Sequence, residues 1–307
     1  MKFDIIGKRY WAFLISGILI LISVIFLATA GLKPGIEFSS GSILTISFES
    51  EVNYDTFKQA VGDIGYSDAV IQRTSAGDFL IRTKELTDEE KAGLESQLQE
   101  RFGTLTEASF SSISPQAAAE TINSAIIAVL IASVGILLYI TWAFRRMPKP
   151  FRYGACAVVA LIHDALVALG VFSILGVLLG WETNLMFITG ILAVIGYSVN
   201  NMVVIFDRIR ENTLRGVHYD FEVTVNHSLV ETLSRSFNTS LTTLITVLAL
   251  LLFVGSTIQN FAVVLLVGIL AGLFDSIFVA PGLLVMWDKG EWYRLLPWKG
   301  AGKKAEA

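Results

Sequence analysis

The stretch YGACAVVALIHDALVALGVFSILGVLLGWETNLMFITGILAVIGYSVNNMVVIF, residues 153–206, contains two long apolar runs separated by Gly180-Trp181-Glu182-Thr183. A helix of about 20 apolar residues crosses the hydrocarbon core of a bilayer, and each run reaches that length. A short polar turn between two such runs is typical of antiparallel neighbouring helices. The stretch therefore predicts a hairpin of two membrane-spanning helices.

Four further apolar runs flank this hairpin, so the sequence predicts a polytopic α-helical membrane protein with six transmembrane helices. The first run, Trp11–Ala30, could instead be a signal peptide. It is longer than the roughly 7–15 apolar residues of a signal peptide, and Leu32-Lys33-Pro34 is a poor cleavage site, which favours a retained helix. The six predicted spans are residues 11–30, 121–144, 153–179, 184–206, 235–256 and 260–287.

The composition excludes several classes of protein. Of 307 residues, 53% are hydrophobic and 16% are charged, whereas soluble domains carry about 25% charged residues. Three histidines and one cysteine, Cys156, exclude a disulfide framework and a cysteine-rich metal site, so no bound metal is predicted. The sequence has no phosphate-binding glycine loop and no catalytic motif, and its basic residues are scattered over short loops. We therefore expect neither an enzyme nor a nucleic-acid-binding protein.

Lysine and arginine residues predict the orientation of the spans. They precede the first span, join the second to the third and follow the fourth and sixth, whereas the turns 180–183 and 256–259 contain none. By the positive-inside rule, both termini lie in the cytoplasm and residues 34–118 lie outside. The predicted domains are a cytoplasmic N-terminus with the first span (1–33), an extracytoplasmic domain (34–118), a bundle of five spans (119–288) and a cytoplasmic basic tail (289–307).

Residues 34–118 differ in charge from the rest of the chain. They hold 14 acidic and 6 basic residues, against 13 and 17 elsewhere, as expected of an aqueous domain. Alternating apolar residues predict strands, helical spacing predicts two helices, and Thr87 to Glu90 forms a capping-box pattern. The elements are expected at 42–48, 54–64, 69–73, 78–83, 87–102 and 105–112, with a turn at 75–77. The order βαββαβ predicts a small α+β domain of the ferredoxin-like type.

Ionisable side chains within the spans are the candidate functional residues, because each costs at least ~2.5–3.5 kcal/mol on membrane-insertion scales. The four candidates are His163, Asp164, Arg235 and Asp275. A rise of 1.5 Å per residue places Asp275, Arg235 and the polar Asn201 within ~8 Å of one another in depth. Structural alternatives stay open, because Arg235 could snorkel to the surface and His163 could stabilise a helix contact.

The fourth span reads Gly196-Tyr197-Ser198-Val199-Asn200-Asn201 and continues into Asp207-Arg208-Ile209-Arg210-Glu211-Asn212. With the βαββαβ insertion after the first span, this pattern resembles the SecF family, the smaller subunits of SecD–SecF protein-export complexes in the resistance-nodulation-division superfamily. Further matching stretches are residues 35–41, His163-Asp164 and residues 226–244, so the resemblance extends to about residue 287. The motif residues are Gly196, Tyr197, Ser198, Asn200, Asp207 and Arg208.

The resemblance implies a multi-pass subunit of the bacterial plasma (inner) membrane that works with SecD. The pair would stand beside the SecYEG channel and use an H⁺ or Na⁺ gradient, without another cofactor, to pull or release preproteins that SecA has pushed in. YajC would belong to the larger assembly, and lipid would surround the spans. In the family, an acid at the position of Asn201 and an arginine at that of Arg235 belong to the ion path, with an aspartate from SecD.

This sequence departs from the family pattern in three places. Asn201 replaces the acid and cannot take up a proton, residues 37–41 (EFSSG) replace the usual Asp-Phe-Thr-Gly-Gly, and Asp275-Ser276 replaces a pair of serines. We hypothesise that Asp275 has taken over the acid role, with Arg235 as its partner, in an ion path that includes Asn201, Asp164 and His163. The alternative is a Ser-to-Asp change tolerated in a water-filled crevice.

Small residues predict close helix contacts. The candidates are Gly190, Gly196, Gly268, Gly272 and Ser276, and we expect the face with Gly190, Gly196 and Asn200 to pack against SecD. Two other functions remain as alternatives: half of a small-molecule or lipid exporter of the same superfamily, and a structural clamp without ion flux. Those exporters usually carry two larger outer insertions, whereas this chain has one of about 85 residues.

Overall fold

A computed structural model of the chain describes residues 4–74, 77–253 and 258–291, with only the backbone of residues 107 and 108. The described residues contain six helical spans that are long and apolar enough to cross a membrane, which confirms the predicted number. The helices of these spans are α1 (Arg9–Thr29, after a 3-10 turn Ile6–Lys8), α5 (Pro115–Ala143), α6 (Phe151–Leu179), α7 (Leu185–Leu214), α8 (Phe221–Phe253), and α9 (Gln259–Phe274) with α10 (Ala280–Lys289).

The sixth span is interrupted by a π-helical turn, Asp275–Val279, which joins α9 to α10. The N–H of Ala280 donates to the carbonyl oxygen of Asp275, five residues earlier. Single π turns within α-helices are rare and occur frequently at functional sites. This turn was not predicted from the sequence, and its first residue is the aspartate that replaces a serine of the family pattern.

Two helices are longer than their apolar runs. Helix α8 begins at Phe221 rather than near residue 235, and α7 continues to Leu214 rather than ending near residue 206. Hydropathy detects the apolar part of a helix and misses a polar part that side chains stabilise. In the polar part of α8, Asn226 Oδ1 accepts hydrogen bonds from the N–H groups of Ile5 and Ile6, at 2.8 and 3.1 Å.

The chain divides into two compact units, and the smaller one is Pro34–Ile126. It contains a short helix α2 (Ile36–Ser39), then β1 (Gly41–Phe48), α3 (Tyr54–Asp63), β2 (Val70–Arg73), β3 (Phe79–Thr83), α4 (Asp88–Phe102) and β4 (Leu105–Ile113). The four strands form one antiparallel sheet in the order β2-β3-β1-β4. These bounds agree with the predicted strands and helices to within a few residues; α2 was not predicted.

Alternation in β1 explains the core of this unit. Leu44 and Ile46 are fully buried, whereas Ile43 and Thr45 between them are partly exposed. The buried face of the sheet packs against Phe57 of α3 and against Leu94 and Leu98 of α4. At the start of α4, Thr87 and Glu90 form the predicted capping box.

Ser40 has a backbone conformation that favours glycine. Its φ is +60° with ψ 171°, and Gly41 follows with φ +118°. A Cβ atom at Gly41 would lie 2.6 Å from the carbonyl oxygen of Thr83, so glycine is required there. Ser40 therefore adopts a strained conformation at the position where the family pattern has another glycine.

The larger unit, Met1–Lys33 with Ile127–Ala307, holds the helical bundle. Its largest buried cluster includes Phe144, Tyr153 and Phe206, in which the rings of Phe144 and Tyr153 stack with centroids 5.1 Å apart. Helices α1 and α5 expose apolar side chains such as Leu21 and Ile131, as expected of helices that face lipid.

A ladder of small residues sets the distance between α7 and α9. A Cβ atom on Gly190 would contact Val264, one on Gly268 would overlap Val194, and one on Gly272 would lie 2.9 Å from Ser198 Oγ. The four-residue spacing on both helices brings their backbones together over three turns, as small-xxx-small contacts do in membranes. Close helix contacts are thus confirmed for Gly190, Gly268 and Gly272, whereas a Cβ on Gly196 would meet no described atom within 4 Å.

Several sequence predictions fall wholly or partly outside the described residues. They are the turn at 75–77, the turn at 256–259 and the basic tail beyond Glu291.

Candidate functional site

Four buried polar side chains meet inside the bundle, from three of its spans. Helix α6 contributes His163 and Asp164, α7 contributes Ser198, and the π-helical turn contributes Asp275. The close approach of α7 to α9 at Gly272 places Ser198 beside Asp164, because a Cβ atom at residue 272 would lie 3.3 Å from Asp164 Oδ2. We call these four residues the buried cluster.

The distances within the cluster are short. Nδ1 of His163 lies 2.8 Å from Oδ2 of Asp275 and 3.6 Å from Oδ1 of Asp164. Ser198 Oγ donates a hydrogen bond to Asp164 Oδ2 at 2.5 Å. Both aspartates and Ser198 have no solvent exposure, and His163 is 3% exposed. Asp275 therefore lies beside His163 and Asp164 in the interior of the bundle.

Nδ1 of His163 and Oδ2 of Asp275 are each other's close polar contact. Nε2 of His163, Oδ1 of Asp164 and Oδ1 of Asp275 have no hydrogen-bond partner among the described residues. Buried polar groups without partners are costly and are usually explained by a functional role or by a bound species. One donor atom each of His163, Asp164 and Asp275 lies within 4.8 Å of the others, so the cluster has the donors to hold a cation or a proton. The absence of a metal site stays a prediction.

Among the described residues, neither Asn201 nor Arg235 forms a hydrogen bond or an ion pair with this cluster. Asn201 Nδ2 donates to Ser240 Oγ of α8 at 2.8 Å, and both residues are buried. Arg235 is exposed on α8, and among the described residues no acidic side chain pairs with it. Of the five residues assigned to the ion path from the sequence, the structure brings together His163, Asp164 and Asp275. The partner of Asp275 is His163 rather than the hypothesised Arg235.

The remaining motif residues connect α7 to α8. The hydroxyl of Tyr197 lies 3.3–3.4 Å from the carbonyl oxygen of Thr239 and the hydroxyls of Ser240 and Thr243. Arg208 pairs with Glu231 of α8 at 2.8 Å, and Asn212 donates to the same carboxylate at 2.7 Å. Glu231 was not among the residues singled out from the sequence, because its partners Arg208 and Asn212 lie about 20 residues away on another helix.

Asp207 and the exposed face of α7 complete the motif. Asp207 is exposed and pairs with Arg210 within α7, at 2.5 Å. Gly196 and Asn200, four residues apart, are exposed on one face of this helix. Gly190 does not belong to that face, because it is buried against Val264 of the same chain. Its assignment to a partner-binding face was wrong for this reason.

The chain matches two family models. "Protein export membrane protein SecD/SecF, C-terminal" matches residues 94–290, and "SecD/SecF GG Motif" matches residues 25–52. The first match covers more than half of the chain and includes all residues of the buried cluster. The second contains the strained Ser40 and Gly41.

Curated relatives match the chain over nearly its whole length. Protein translocase subunit SecF of Thermobaculum terrenum is 42% identical over 304 residues, which cover 95% of this chain and 96% of that relative. Protein translocase subunit SecF of Anaerolinea thermophila is 42% identical over 293 residues, which cover 94% of this chain and 95% of that relative.

Solved structures agree with these relatives. A crystal structure of SecDF, a translocon-associated membrane protein from Thermus thermophilus, is 31% identical with a TM-score of 0.80 over 94% of this chain. The chain covers 39% of that longer protein. A second crystal structure, of SecDF in a super-membrane-facing form, is 29% identical with a TM-score of 0.66 over 95% of this chain and 40% of the other.

The family identifies the class of protein. The curated relatives are subunits of a protein translocase, not enzymes. They do not favour the alternative function, half of a small-molecule or lipid exporter. The six spans and the relatives together describe a multi-pass membrane protein. The chain belongs to the SecF family of protein translocase subunits, within the SecD/SecF group of protein-export membrane proteins.

Proposed function

We propose that this chain pairs with SecD and that the pair uses an H⁺ or Na⁺ gradient to assist the export of preproteins. The pair would act beside the SecYEG channel, on preproteins that SecA has already pushed in. YajC would belong to the larger assembly. The observation that carries the proposal is the buried cluster. Three buried ionisable residues in a membrane bundle cost much more than three apolar ones, which favours a role in ion movement. Arg235 and Asn201 would lie on the same path at its interface with SecD.

The test is export in proteoliposomes that hold SecYEG, SecA and the SecD–SecF pair. Imposed H⁺ and Na⁺ gradients are applied separately, and the export of a preprotein is compared with export driven by ATP alone. At least one gradient should increase export when the pair is present. If neither gradient does so although the pair assembles, the chain is a structural clamp and the proposal is wrong.

We propose that both termini are cytoplasmic, that Pro34–Ile126 lies outside the bacterial plasma membrane, and that its domain is ferredoxin-like. The loop charges support the orientation, and the element order βαββαβ with a β2-β3-β1-β4 sheet supports the fold type. Gln99 is exposed on α4, whereas Tyr219 is exposed between α7 and α8, so cysteines there report on opposite sides.

In a chain without Cys156, Gln99→Cys should react with an impermeant thiol reagent on intact spheroplasts. Tyr219→Cys is the matched control and should react after lysis. The native Cys156 is buried and adds little background, but its removal makes the assignment unambiguous. The reverse labelling pattern would contradict the orientation.

We propose that SecD packs against the outward face of α7 and α8. Gly196 and Asn200 are exposed on α7, and Arg235 and Thr242 are exposed on α8. An arginine and an asparagine on the outside of spanning helices are costly against lipid and are expected to be covered by protein. Gly196→Phe should prevent copurification with SecD in mild detergent, whereas Gly135→Phe on the exposed face of α5 should not. Equal copurification of the two variants would contradict this interface.

A further inference from the structure

We propose that the bundle binds the phosphate group of an anionic phospholipid in a cavity where α6 begins and where α7 and α10 end. The cavity has a volume of about 220 Å³, and its polar wall consists of Arg152, Tyr153, Thr213 and Asp288. None of these residues belongs to the buried cluster or to the proposed ion path. The inference therefore goes beyond the proposed function.

The hydroxyl of Tyr153 lacks a hydrogen-bond partner. The residue is 2% exposed, and its ring stacks on Phe144 and meets Phe206 edge-on, with centroids 5.1 and 5.5 Å away. Among the described residues no group bonds to the hydroxyl, although it lies within electrostatic range of Arg152 and Asp288 on the cavity wall. A buried polar group without a partner is costly and is usually explained by a bound species. The hydroxyl thus provides a donor for a ligand in the cavity.

Arg152 supplies the positive charge of the site. Its side chain is 18% exposed, and its Nη1 donates to Asp288 Oδ1 at 3.2 Å. A strong charge-assisted bond is about 2.7–2.9 Å long, so this pair is a loose one. The other guanidinium N–H groups donate to no further atom in the described part of the chain. A guanidinium binds two phosphate oxygens at once in the same planar geometry that it uses for a carboxylate. Arg152 therefore has donors left for a phosphate group.

The first turn of α6 adds to this charge. Arg152 and Tyr153 are its second and third residues, and Pro150 precedes the helix without a side-chain cap. The N-terminus of a long helix carries a partial positive charge that favours an anion. The acidic residue of the cavity wall, Asp288, opposes the anion, but its side chain is 47% exposed. A phosphate group can therefore replace it on Arg152 while the carboxylate turns to water.

The segment between α5 and α6, residues 144–150, favours a ligand with net negative charge. It contains Arg145, Arg146 and Lys149 and no acidic residue, and all three side chains are exposed. Clusters of basic residues at the end of a membrane-spanning helix attract anionic headgroups. A zwitterionic lipid carries the same phosphate but gains little from this attraction. The segment thus distinguishes lipids that have the same phosphate group.

Aromatic residues place the cavity at the depth of the lipid headgroups. Trp142 at the end of α5 and Phe151 at the start of α6 are 62% and 56% exposed. The guanidinium of Arg145 stacks on the ring of Trp142, 4.5 Å from its centroid. Tryptophan is enriched at the interface between hydrocarbon and water, where lipid phosphates also lie. A phospholipid therefore reaches the cavity without leaving the bilayer.

The size and the apolar wall of the cavity match a headgroup rather than a whole soluble ligand. Pockets for small molecules usually measure about 300–1,000 Å³, and this cavity is smaller. Met147, Phe221 and Leu284 form much of the remaining wall. The cavity would hold the phosphate and the glycerol carbons of a lipid. The acyl chains would lie outside it, along the exposed apolar side chains of α6 such as Val159 and Ile162.

Native mass spectrometry of the purified complex with SecD counts bound lipids and tests the site. The complex is delipidated in mild detergent and titrated separately with phosphatidylglycerol, which is anionic, and with phosphatidylcholine, which is zwitterionic. The wild-type complex should bind its first phosphatidylglycerol about tenfold more tightly than phosphatidylcholine. Equal affinity for the two lipids would overturn the proposed selection of an anionic lipid.

Variants of the cavity wall should change this affinity in opposite directions. Arg152→Gln should weaken phosphatidylglycerol binding about tenfold, and Tyr153→Phe, which keeps the packed ring, about threefold. Asp288→Asn removes the competing acid and should tighten binding roughly two- to fivefold. Arg215→Gln, which removes an exposed charge paired with Glu211 outside the cavity, is the control and should bind as the wild type does. A purely structural salt bridge would instead give the same direction of change for Arg152→Gln and Asp288→Asn.

The remaining outcomes identify other occupants of the cavity. Unchanged lipid binding in both Tyr153→Phe and Asp288→Asn would overturn the inference, even if Arg152→Gln failed to assemble. Displacement of the lipid by an equal concentration of glycerol 3-phosphate would show that the site takes a soluble phosphate and not a lipid. Loss of the lipid from the wild-type complex on binding of SecYEG would show that a protein fills the cavity in the assembly, and would also overturn it.

Discussion

His163 and Asp275 stand on different spans, and Nδ1 of the first lies 2.8 Å from Oδ2 of the second. The contact exists because a π-helical turn begins at Asp275 and because a ladder of small residues holds α9 close to α7. A change of packing between α7 and α9 should therefore affect the cluster.

Ser198→Ala should destabilise the bundle more than Ser276→Ala. Both serines are fully buried, but Ser198 donates to the Asp164 carboxylate at 2.5 Å, whereas Ser276 donates to the carbonyl oxygen of Leu273 in its own helix. Hydrogen bonds to charged groups contribute about 1.5–3 kcal/mol. Thermal unfolding of the solubilised complex measures the difference, and equal losses would contradict a stronger hydrogen bond at Ser198 than at Ser276.

Gly268→Ala should loosen the contact between α7 and α9. The new Cβ atom would overlap the side chain of Val194, and overpacking of this kind costs about 1–3 kcal/mol. Gly135→Ala is the matched control, since a Cβ atom there meets nothing within 4 Å. We expect a lower melting temperature for the first variant and an unchanged or higher one for the second. If the melting temperatures of both variants fell or both rose, the result would argue against close packing of α7 and α9 at Gly268.

Ser40→Gly should stabilise the small unit. Ser40 has φ +60° and ψ 171°, a region that costs a residue with a side chain about 1–3 kcal/mol. Glycine removes that strain but loses about 0.4–1 kcal/mol through the entropy of the unfolded chain. Slower hydrogen exchange of the amides of β1 in Ser40→Gly would show the net gain in stability of the small unit. Ser39→Gly, at a neighbouring residue in the helical α2 whose hydroxyl bonds to Gly35, should have the opposite effect.

The start of α4 should lose stability in acid. Thr87 donates its backbone N–H and its hydroxyl to Glu90, and these two hydrogen bonds lower the pKa of Glu90 from its ordinary value of 4.5. A lowered pKa in the folded state means that the stabilisation is present above about pH 4.5 and is lost as the pH falls through the folded value.

Hydrogen exchange of the first turn of α4, corrected for the intrinsic rate, checks this pH dependence. Glu90→Gln should remove it, because glutamine accepts the same hydrogen bonds without titrating. Glu89→Gln changes a neighbouring exposed side chain and should retain it. An acid dependence that survives in Glu90→Gln would contradict the prediction.

Local signals explain why much of the fold could be predicted from the sequence. The alternation around Leu44, the capping box at Thr87 and the length of the apolar runs each depend on neighbours along the chain, and all three agree with the structure. The start of α8 could not be predicted in this way. Its polar first turns are stabilised by contacts with distant residues, such as those of Asn226 with the N-terminal backbone.

The candidate site was predictable in its residue types but not in its pairing. Depth along the membrane normal placed Asp275, Asn201 and Arg235 in one layer, yet depth does not specify which side of a helix a residue faces. Asn201 faces Ser240, and Asp275 faces His163. Ser198 could have been recognised as a partner from its four-residue spacing with Gly190 and Val194, which continues the helix contact one turn further.

The π-helical turn Asp275–Val279 also affects how relatives of this chain should be aligned and compared. A π turn closes over one residue more than an α turn, and each residue advances an α-helix by about 100°. A helical wheel drawn through the whole sixth span as one continuous α-helix therefore assigns α10 to the wrong sides after Val279. Alignments that allow a one-residue gap there should recover the buried positions of α10, such as Pro281 and Leu284.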